Sequence, residues 1–129
     1  MAEAGPRVLV VDDELNITEL VAMALRYEGF TVNTAATGRD ALAKVASFKP
    51  ALVVLDVMLP GTSGMEALEE IRSDPSLRQL PVAILSNSEL TPEVHARAVD
   101  LGILGWLTKS RTPPPLVVRT IRRWLAVKP

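Results

Sequence analysis

The sequence contains no cysteine, a single histidine and few aromatic side chains. The lack of cysteine excludes disulfides, thiolate metal sites and cysteine nucleophiles, and it is typical of a cytoplasmic protein, which is where we expect the chain to act. No apolar run approaches the roughly 20 residues that span a bilayer, and residues 1–6 lack the apolar segment of a signal peptide. A membrane is therefore not an expected partner. A net charge of −1 gives the chain no general attraction to nucleic acid, so nucleic acid is not an expected partner either.

The apolar residues that are present concentrate in five short runs. Runs of Val, Leu and Ile without polar alternation favour strands that are covered on both faces, as in a parallel sheet. The predicted strands are Val8–Val11, Phe30–Thr34, Leu52–Leu55, Pro81–Leu85 and Gly105–Thr108. With 129 residues, the chain is expected to form one domain over residues 1–129, with its core at about 7–127 and no further domain.

Segments with helical periodicity separate the predicted strands. Their predicted starts are a capping box of Asn16 with Glu19, Thr37, a second box of Ser63 with Glu66, Thr91 before Pro92, and Thr112. We expect the first helix to bury Ile17, Leu20, Val21, Ala24 and Leu25, and the fifth to bury Leu116, Val117, Ile121, Trp124 and Leu125. Five βα units in succession predict an α/β fold, with a parallel sheet between two helical layers.

Polar residues follow four of the five predicted strands, where sites form in open α/β sheets. They are Asp12, Asp13 and Glu14 after the first strand, Asp56 after the third, Ser86, Asn87 and Ser88 after the fourth, and Thr108 and Lys109 at the end of the fifth. Taken alone, the Asp12–Asp13 pair would be interpreted as a solvated turn or a helix cap. If the strands are neighbours, however, carboxylates, a hydroxyl and an ammonium meet at one edge of the sheet.

This combination of side chains suits phosphoryl transfer. Clustered carboxylates repel one another unless a cation lies among them, and Mg²⁺ binds one or two carboxylates together with waters and phosphate oxygens. An ammonium such as that of Lys109 can hold a phosphoryl oxygen, and the Ser86 hydroxyl can donate a hydrogen bond to one. An aspartate such as Asp56 can act as the nucleophile and form an acyl phosphate.

From about Arg7 to Leu125, the chain resembles the response-regulator receiver domains of two-component signalling, a CheY-like family. The matching features are Asp12–Asp13, Asp56 followed by Leu59-Pro60-Gly61 and Gly64, Ser86, and Thr108–Lys109. The resemblance implies a doubly wound, flavodoxin-like (βα)₅ fold with a five-stranded parallel sheet in the strand order 2-1-3-4-5.

The resemblance also implies a phosphoacceptor and a metal site. Asp56 would accept the phosphoryl group. Asp13 and Asp56 would bind Mg²⁺ (or Mn²⁺) directly, together with the backbone carbonyl of Met58, while Asp12 would act through a water molecule. The phosphoryl donor would be a sensor histidine kinase or a phosphotransfer protein, and the domain would catalyse only its own phosphorylation and dephosphorylation.

The remaining roles implied by the resemblance concern switching. Lys109 would contact the phosphoryl group, and Ser86 would move towards it while the aromatic Trp106 turns inward. Without the resemblance, Trp106 would be interpreted as a packing residue. The change would alter the face formed by the fourth helix, the fifth strand and the fifth helix, and so the affinity for a downstream protein target or an output domain. A homodimer is a further partner that the resemblance allows.

Several positions depart from the family pattern. Ser110 replaces the proline that usually follows the lysine, so a cis peptide bond is not expected there. Asn87 replaces a small residue, and with Met58 and Ser88 it is expected to modulate access to the acceptor. Leu104–Gly105 replaces an acidic pair, which argues against the charge-paired dimer common in the family.

The sequence leaves two other functions open. A phosphorylation-independent interaction module would keep the fold without the chemistry, and the departures at Asn87 and Ser110 leave room for it. An aspartate-nucleophile phosphohydrolase would carry a second aspartate where this chain has Met58. The arginines at 119, 122 and 123 are interpreted either as a solvated helix face or as part of a docking face, and His95 as a surface residue.

Overall fold

The computed structural model describes residues 5–59, 61, 63–86 and 91–126. Among them, the strands are β1 (Arg7–Val11), β2 (Thr31–Ala35), β3 (Leu52–Leu55), β4 (Val82–Ser86) and β5 (Trp106–Thr108). The helices are α1 (Leu15–Tyr27), α2 (Gly38–Phe48), α3 (Gly64–Ser73), α4 (Pro92–Asp100) and α5 (Pro114–Ala126), and short 3₁₀ turns cover Pro75–Leu77 and Lys109–Arg111. None of the described helices is long and apolar enough to cross a membrane.

The five strands form one parallel sheet in the order β2-β1-β3-β4-β5, which confirms the predicted flavodoxin-like topology. β1 pairs with both β2 and β3, and Val11 lies between Ala35 and Leu55 in the register. β5 has the edge position and pairs with β4, with Ser86 opposite Thr108. The residues that follow β1 and β3 are therefore neighbours at the carboxyl edge of the sheet.

The core lies on both faces of the sheet, as the unbroken apolar runs predicted. Val8 and Val10 of β1 pack with residues of α1 and α5 in one cluster, while Leu9 and Val11 pack with residues of α2 and α3 in another. Alternate residues of a strand point to opposite faces, so a strand that is covered on both sides must be apolar at every position.

Most of the predicted helix starts are confirmed. The Ser63 hydroxyl accepts a hydrogen bond from the Glu66 amide at 3.2 Å, and the Ser63 amide donates one to the Glu66 carboxylate, which completes a capping box. The Thr37 and Thr91 hydroxyls cap α2 and α4, each by accepting a hydrogen bond from the amide three residues further on, and Pro92 lies in the first turn of α4. These caps depend on local geometry, which is why the local sequence could predict them.

The start of α1 is a correction to the prediction. The predicted capping box of Asn16 with Glu19 is absent, because α1 begins at Leu15 with Glu14 at the N-cap and no side-chain cap. Instead, Asp12 Oδ1 accepts a hydrogen bond from the Glu14 amide at 2.9 Å, and the Thr18 hydroxyl donates to the Asp12 carbonyl at 3.2 Å. The end of β1 therefore sets the helix start two residues earlier than the cap pattern indicated.

The inner faces of α1 and α5 are narrower than predicted. Leu20 is 53% exposed and Leu116 is 38% exposed, although both were expected to be buried. The buried face of α1 is centred on Val21 and Leu25, and Leu20 lies beside it rather than on it. α5 begins at Pro114, two residues after the predicted start, and its predicted end near Val127 lies outside the described residues.

Candidate functional site

The backbone ladder of the sheet holds two aspartates side by side. The Asp56 amide donates to the Val11 carbonyl at 3.0 Å, and the Asp12 amide donates to the Ala35 carbonyl at 3.0 Å. The ladder therefore continues one residue past β1 and β3. Both aspartates are buried: Asp12 is 2% exposed and Asp56 is 4% exposed. Carboxylates buried at adjacent strand ends form the floor of the candidate site.

Three donors hold the Asp56 carboxylate. Its Oδ1 atom accepts hydrogen bonds from the Met58 amide at 3.0 Å and from the Ser86 hydroxyl at 2.9 Å. Its Oδ2 atom accepts one from Lys109 Nζ at 2.7 Å. These donors come from the segment after β3, from the end of β4 and from the end of β5, so one side chain joins three strand ends.

Lys109 lies at the centre of a cluster of carboxylates. Its Nζ atom is 2.6 Å from Asp12 Oδ2, 2.7 Å from Asp56 Oδ2 and 2.8 Å from Glu14 Oε1, and its side chain is 3% exposed. Burial by itself would lower the pKa of Lys109, but the hydrogen bonds to the three carboxylates outweigh it and raise the pKa above its usual value. Lys109 therefore remains a cation throughout the physiological range.

The surroundings of Asp12 disfavour its charged form. Burial raises the pKa of the Asp12 carboxyl, and the neighbouring Asp56 adds to that effect. The hydrogen bonds from Lys109 and from the Glu14 amide oppose the rise without cancelling it. A single ammonium does not balance this group of carboxylates, so an additional cation would be stabilised there.

Asp13 completes a group of carboxylates that fits a divalent cation. One oxygen of each of Asp12, Asp13 and Asp56 lies within 4.8 Å of the others, with Asp13 exposed and the other two buried. Carboxylate oxygens are the ligands that Mg²⁺ and Mn²⁺ prefer, and an exposed side leaves room for waters and for a phosphate oxygen. The side chains that the sequence singled out for a metal are therefore brought together.

Gly64 explains part of the motif after β3. A Cβ atom at this position would lie 2.0 Å from the Asp56 carbonyl oxygen, so no other residue fits without movement of the backbone. The Gly64 amide donates to the Val57 carbonyl at 3.1 Å. Glycine thus allows α3 to start directly behind the acceptor. Pro60, in the same motif, lies outside the described residues.

The remaining predicted site residues flank the acceptor or depart from the family pattern. The Met58 side chain is 64% exposed beside Asp56. Asn87 and Ser88 lie outside the described residues, so the prediction that they modulate access stays a prediction. Ser110 is exposed and lies within the 3₁₀ turn Lys109–Arg111. The described residues contain no cis peptide bond, in line with the prediction from the replacement of proline by Ser110.

Trp106 is half-buried at the start of β5 and packs against one of the two core clusters. The ring of His95, on α4, lies 5.9 Å from the Trp106 ring, centroid to centroid. His95 is exposed, as expected, but this contact with α4 was not predicted. A histidine in a polar helix gives no sequence signal that its ring meets an aromatic residue of a distant strand.

Glu14 belongs to the site, although the sequence predicts no role for it. It is the third of the acids that follow the first strand. The structure places its carboxylate on Lys109. The signal that could have found it is the third consecutive acid after β1, which lies opposite a lysine at the end of β5.

Comparisons with known proteins identify the family of the chain. The family model of the response regulator receiver domain matches residues 8–121. The probable transcriptional regulatory protein TcrX of Mycobacterium tuberculosis is 49% identical over 112 residues, which are 87% of this chain and 47% of TcrX. The chain thus spans about half the length of that relative.

Two solved structures share the fold over nearly the whole chain. The phosphorylated cyanobacterial phytochrome response regulator RcpA is 30% identical, with a TM-score of 0.83 and coverage of 98% of each chain. The Mn²⁺-bound form of response regulator Rcp1 is 27% identical, with a TM-score of 0.81 and coverage of 96% of this chain and 97% of Rcp1. The chain therefore belongs to the receiver domains of response regulators, the phosphorylation switches of two-component signalling.

Proposed function

We propose that the chain accepts a phosphoryl group on Asp56 in a reaction that requires a divalent metal, and that this modification changes its affinity for a protein partner. The observation that carries the proposal is the placement of the Asp56 carboxylate. It is buried at a strand end, 2.7 Å from an ammonium and within 4.8 Å of two further aspartates. The phosphorylated state of RcpA, a relative with the same fold, supports it.

The proposed metal is Mg²⁺ or Mn²⁺. Asp13 and Asp56 would bind it directly with the Met58 backbone carbonyl, while Asp12 would act through a water molecule. The Mn²⁺-bound form of Rcp1 supports this assignment. When bound, the cation would neutralise the charge that develops on the transferred group. The feature of this chain that favours it is the group of three carboxylates, those of Asp12, Asp13 and Asp56, whose oxygens lie within 4.8 Å of one another.

In the proposed reaction, a carboxylate oxygen of Asp56 attacks the phosphorus atom of a phosphohistidine on a sensor kinase or a phosphotransfer protein. A P–O bond forms, the P–N bond breaks, and the histidine nitrogen leaves with its electron pair. Lys109 would then hold one phosphoryl oxygen, and Ser86 would donate a hydrogen bond to another. Both side chains already contact Asp56, so they are placed to stabilise the product without a large rearrangement.

The proposed output is a change on the face formed by α4, β5 and α5. Ser86 ends β4, and Trp106 lies on the neighbouring strand with its ring against His95 of α4. A movement of Ser86 towards a phosphoryl group would free space that Trp106 can take, and the contact with His95 would carry the shift to α4. The partner would be a downstream protein or an output domain, as in relatives named as transcriptional regulators.

The test is the intact-protein mass after incubation with Mg²⁺ and a small acyl phosphate. We expect the parent chain to gain one phosphoryl group and Asp56→Asn to gain none. Asp100→Asn is the matched control, because this exposed aspartate at the end of α4 lies outside the site. Uptake by Asp56→Asn would reject the acceptor. No uptake by the folded parent, from either acyl phosphate or phosphohistidine, would favour the phosphorylation-independent interaction module.

A measurement of phosphate-ester turnover distinguishes the phosphorylation switch from a phosphohydrolase. A receiver acts chemically only on itself, so the amount of acyl phosphate consumed should follow the formation and hydrolysis of phosphorylated Asp56. Turnover of unrelated phosphate esters at a steady rate would instead revive the phosphohydrolase. We place the site of action in the cytoplasm, where sensor kinases present their phosphohistidines.

A further inference from the structure

Glu14 has a fixed backbone beside the acceptor site. Its amide donates to Asp12 Oδ1 at 2.9 Å, and its carbonyl accepts hydrogen bonds from the Thr18 amide at 3.0 Å and the Thr18 hydroxyl at 3.1 Å. These contacts fix the N-cap of α1 to the end of β1. The side chain of Glu14 is therefore anchored at its base while its carboxylate reaches across the site to β5.

The Glu14 carboxylate differs from the others that contact Lys109. Its Oε1 atom lies 2.8 Å from Lys109 Nζ, and its side chain is 56% exposed. The side chains of Asp12 and Asp56 are 3% and 5% exposed. Water can therefore solvate the Glu14 carboxylate when this contact opens, and Lys109 keeps its contacts with Asp12 and Asp56, whereas either aspartate would be left buried without its cation. Of these three carboxylates, that of Glu14 can leave Lys109 at the smallest cost.

The hydrogen-bonding capacity of Lys109 sets up a competition. An ammonium has three N–H donors, and the three carboxylates occupy them in this structure. An incoming phosphoryl group brings additional negative charge and needs a donor from Lys109 while Asp56 is still a carboxylate and all three donors are taken. One carboxylate must then give way, and the exposed one is the candidate.

We propose that Glu14 restrains Lys109 in the unmodified protein and competes with the incoming phosphoryl group for its ammonium, so that Glu14 slows phosphoryl acceptance on Asp56. The proposal rests on the proposed function of Asp56 and adds a positioning residue to it. Glu14 acts through Lys109. It leaves the ammonium for solvent when a phosphoryl oxygen replaces it, and it returns after hydrolysis.

Two effects of opposite sign follow from removing the Glu14 charge. At saturating Mg²⁺, the rate of phosphoryl acceptance should rise by about threefold to tenfold, as expected for one unit charge a few ångströms away in a half-solvated site. The affinity for Mg²⁺ alone, without a phosphoryl donor, should fall, because the carboxylate cluster becomes less negative. A merely structural role would instead lower both quantities together.

The experiment compares Glu14→Gln with the matched control Glu19→Gln, which neutralises another exposed acid on α1. Acceptance from a small acyl phosphate is measured by intact mass at saturating Mg²⁺, and Mg²⁺ binding is measured by calorimetry. We expect the faster rate and the weaker Mg²⁺ binding in Glu14→Gln, with both quantities at parent values in Glu19→Gln. An unchanged or slower rate in Glu14→Gln would overturn the proposal.

A double-mutant cycle tests whether Glu14 acts through Lys109. If it does, Glu14→Gln should no longer accelerate acceptance when it is combined with Lys109→Gln. An equal acceleration in both backgrounds would show a direct charge effect and would overturn the restraint.

A readout on the unmodified protein separates this proposal from the proposed function. Without metal or phosphoryl donor, the Lys109 ammonium should exchange its protons slowly by NMR in the parent and in Glu19→Gln, and faster in Glu14→Gln. Equal exchange in all three proteins would overturn the restraint, even if Asp56 is phosphorylated. If the parent accepts no phosphoryl group, the proposed function fails together with the rate effect, while slower exchange in the parent than in Glu14→Gln would still show that Glu14 holds Lys109.

Discussion

The candidate site joins two regions of different construction. The central half consists of β1 and β3 with Asp12 and Asp56, and the edge half consists of β5 with Trp106 and Lys109. All four residues of β3 are fully buried, whereas the three residues of β5 are half-buried and pair on one side. We therefore expect β3 to hold Asp56 in one position. We expect β5 to move more easily, because it is less buried and pairs with one strand instead of two.

The largest expected effect compares one leucine from each half. Leu55→Ala in β3 should lower the free energy of unfolding by about 2–5 kcal/mol, because a fully buried side chain leaves a cavity. Leu107→Ala in β5 should cost about 1–2 kcal/mol, because its side chain is half-buried. Urea unfolding of both variants measures the difference, and equal losses would contradict the division into two halves.

A smaller effect tests how closely the central half is packed around the acceptor. Gly64→Ala should cost about 1–3 kcal/mol and impair phosphoryl acceptance, since the new Cβ atom would collide with the Asp56 backbone. The control is Gly61→Ala. It introduces a side chain at a positive φ of 71° into open space and should cost about 1 kcal/mol without displacing Asp56. For both variants, urea unfolding measures the loss of stability and intact mass measures phosphoryl acceptance. Normal acceptance by Gly64→Ala would show that the backbone at Asp56 can move.

The smallest effect concerns the link between the edge half and α4. His95→Ala removes an exposed ring from Trp106 and should cost about 0.5 kcal/mol. It should also change the fluorescence of Trp106, measured with Trp124→Phe as the background to remove the second tryptophan. Arg97→Gln, on the same helix, breaks an exposed ion pair with Glu69 and serves as the control. Identical spectra for the two variants would mean that His95 does not couple α4 to β5.

Much of the site could be predicted because its residues follow the strands directly. Asp12 and Asp56 each come one residue after a strand, and a parallel sheet places such residues at the same edge. The cap of α3 by Ser63 and that of α4 by Thr91 were predictable for a similar reason, since a cap depends on three or four consecutive residues. The cap of α1 failed because the side chain of Asp12 takes the Glu14 amide, a contact that belongs to the site and not to the helix.

By itself, the sequence determined the alternation of strands and helices, the burial of the sheet on both faces and the identity of the residues at its carboxyl edge. These features depend on periodicity and on neighbours along the chain. The tertiary structure decided the partners across the chain: Glu14 on Lys109, His95 on Trp106, and the exposure of Leu20 and Leu116. The physical reason is that these contacts depend on how α1, α4 and β5 pack in space, and residues far apart in the sequence carry no local signal of their meeting.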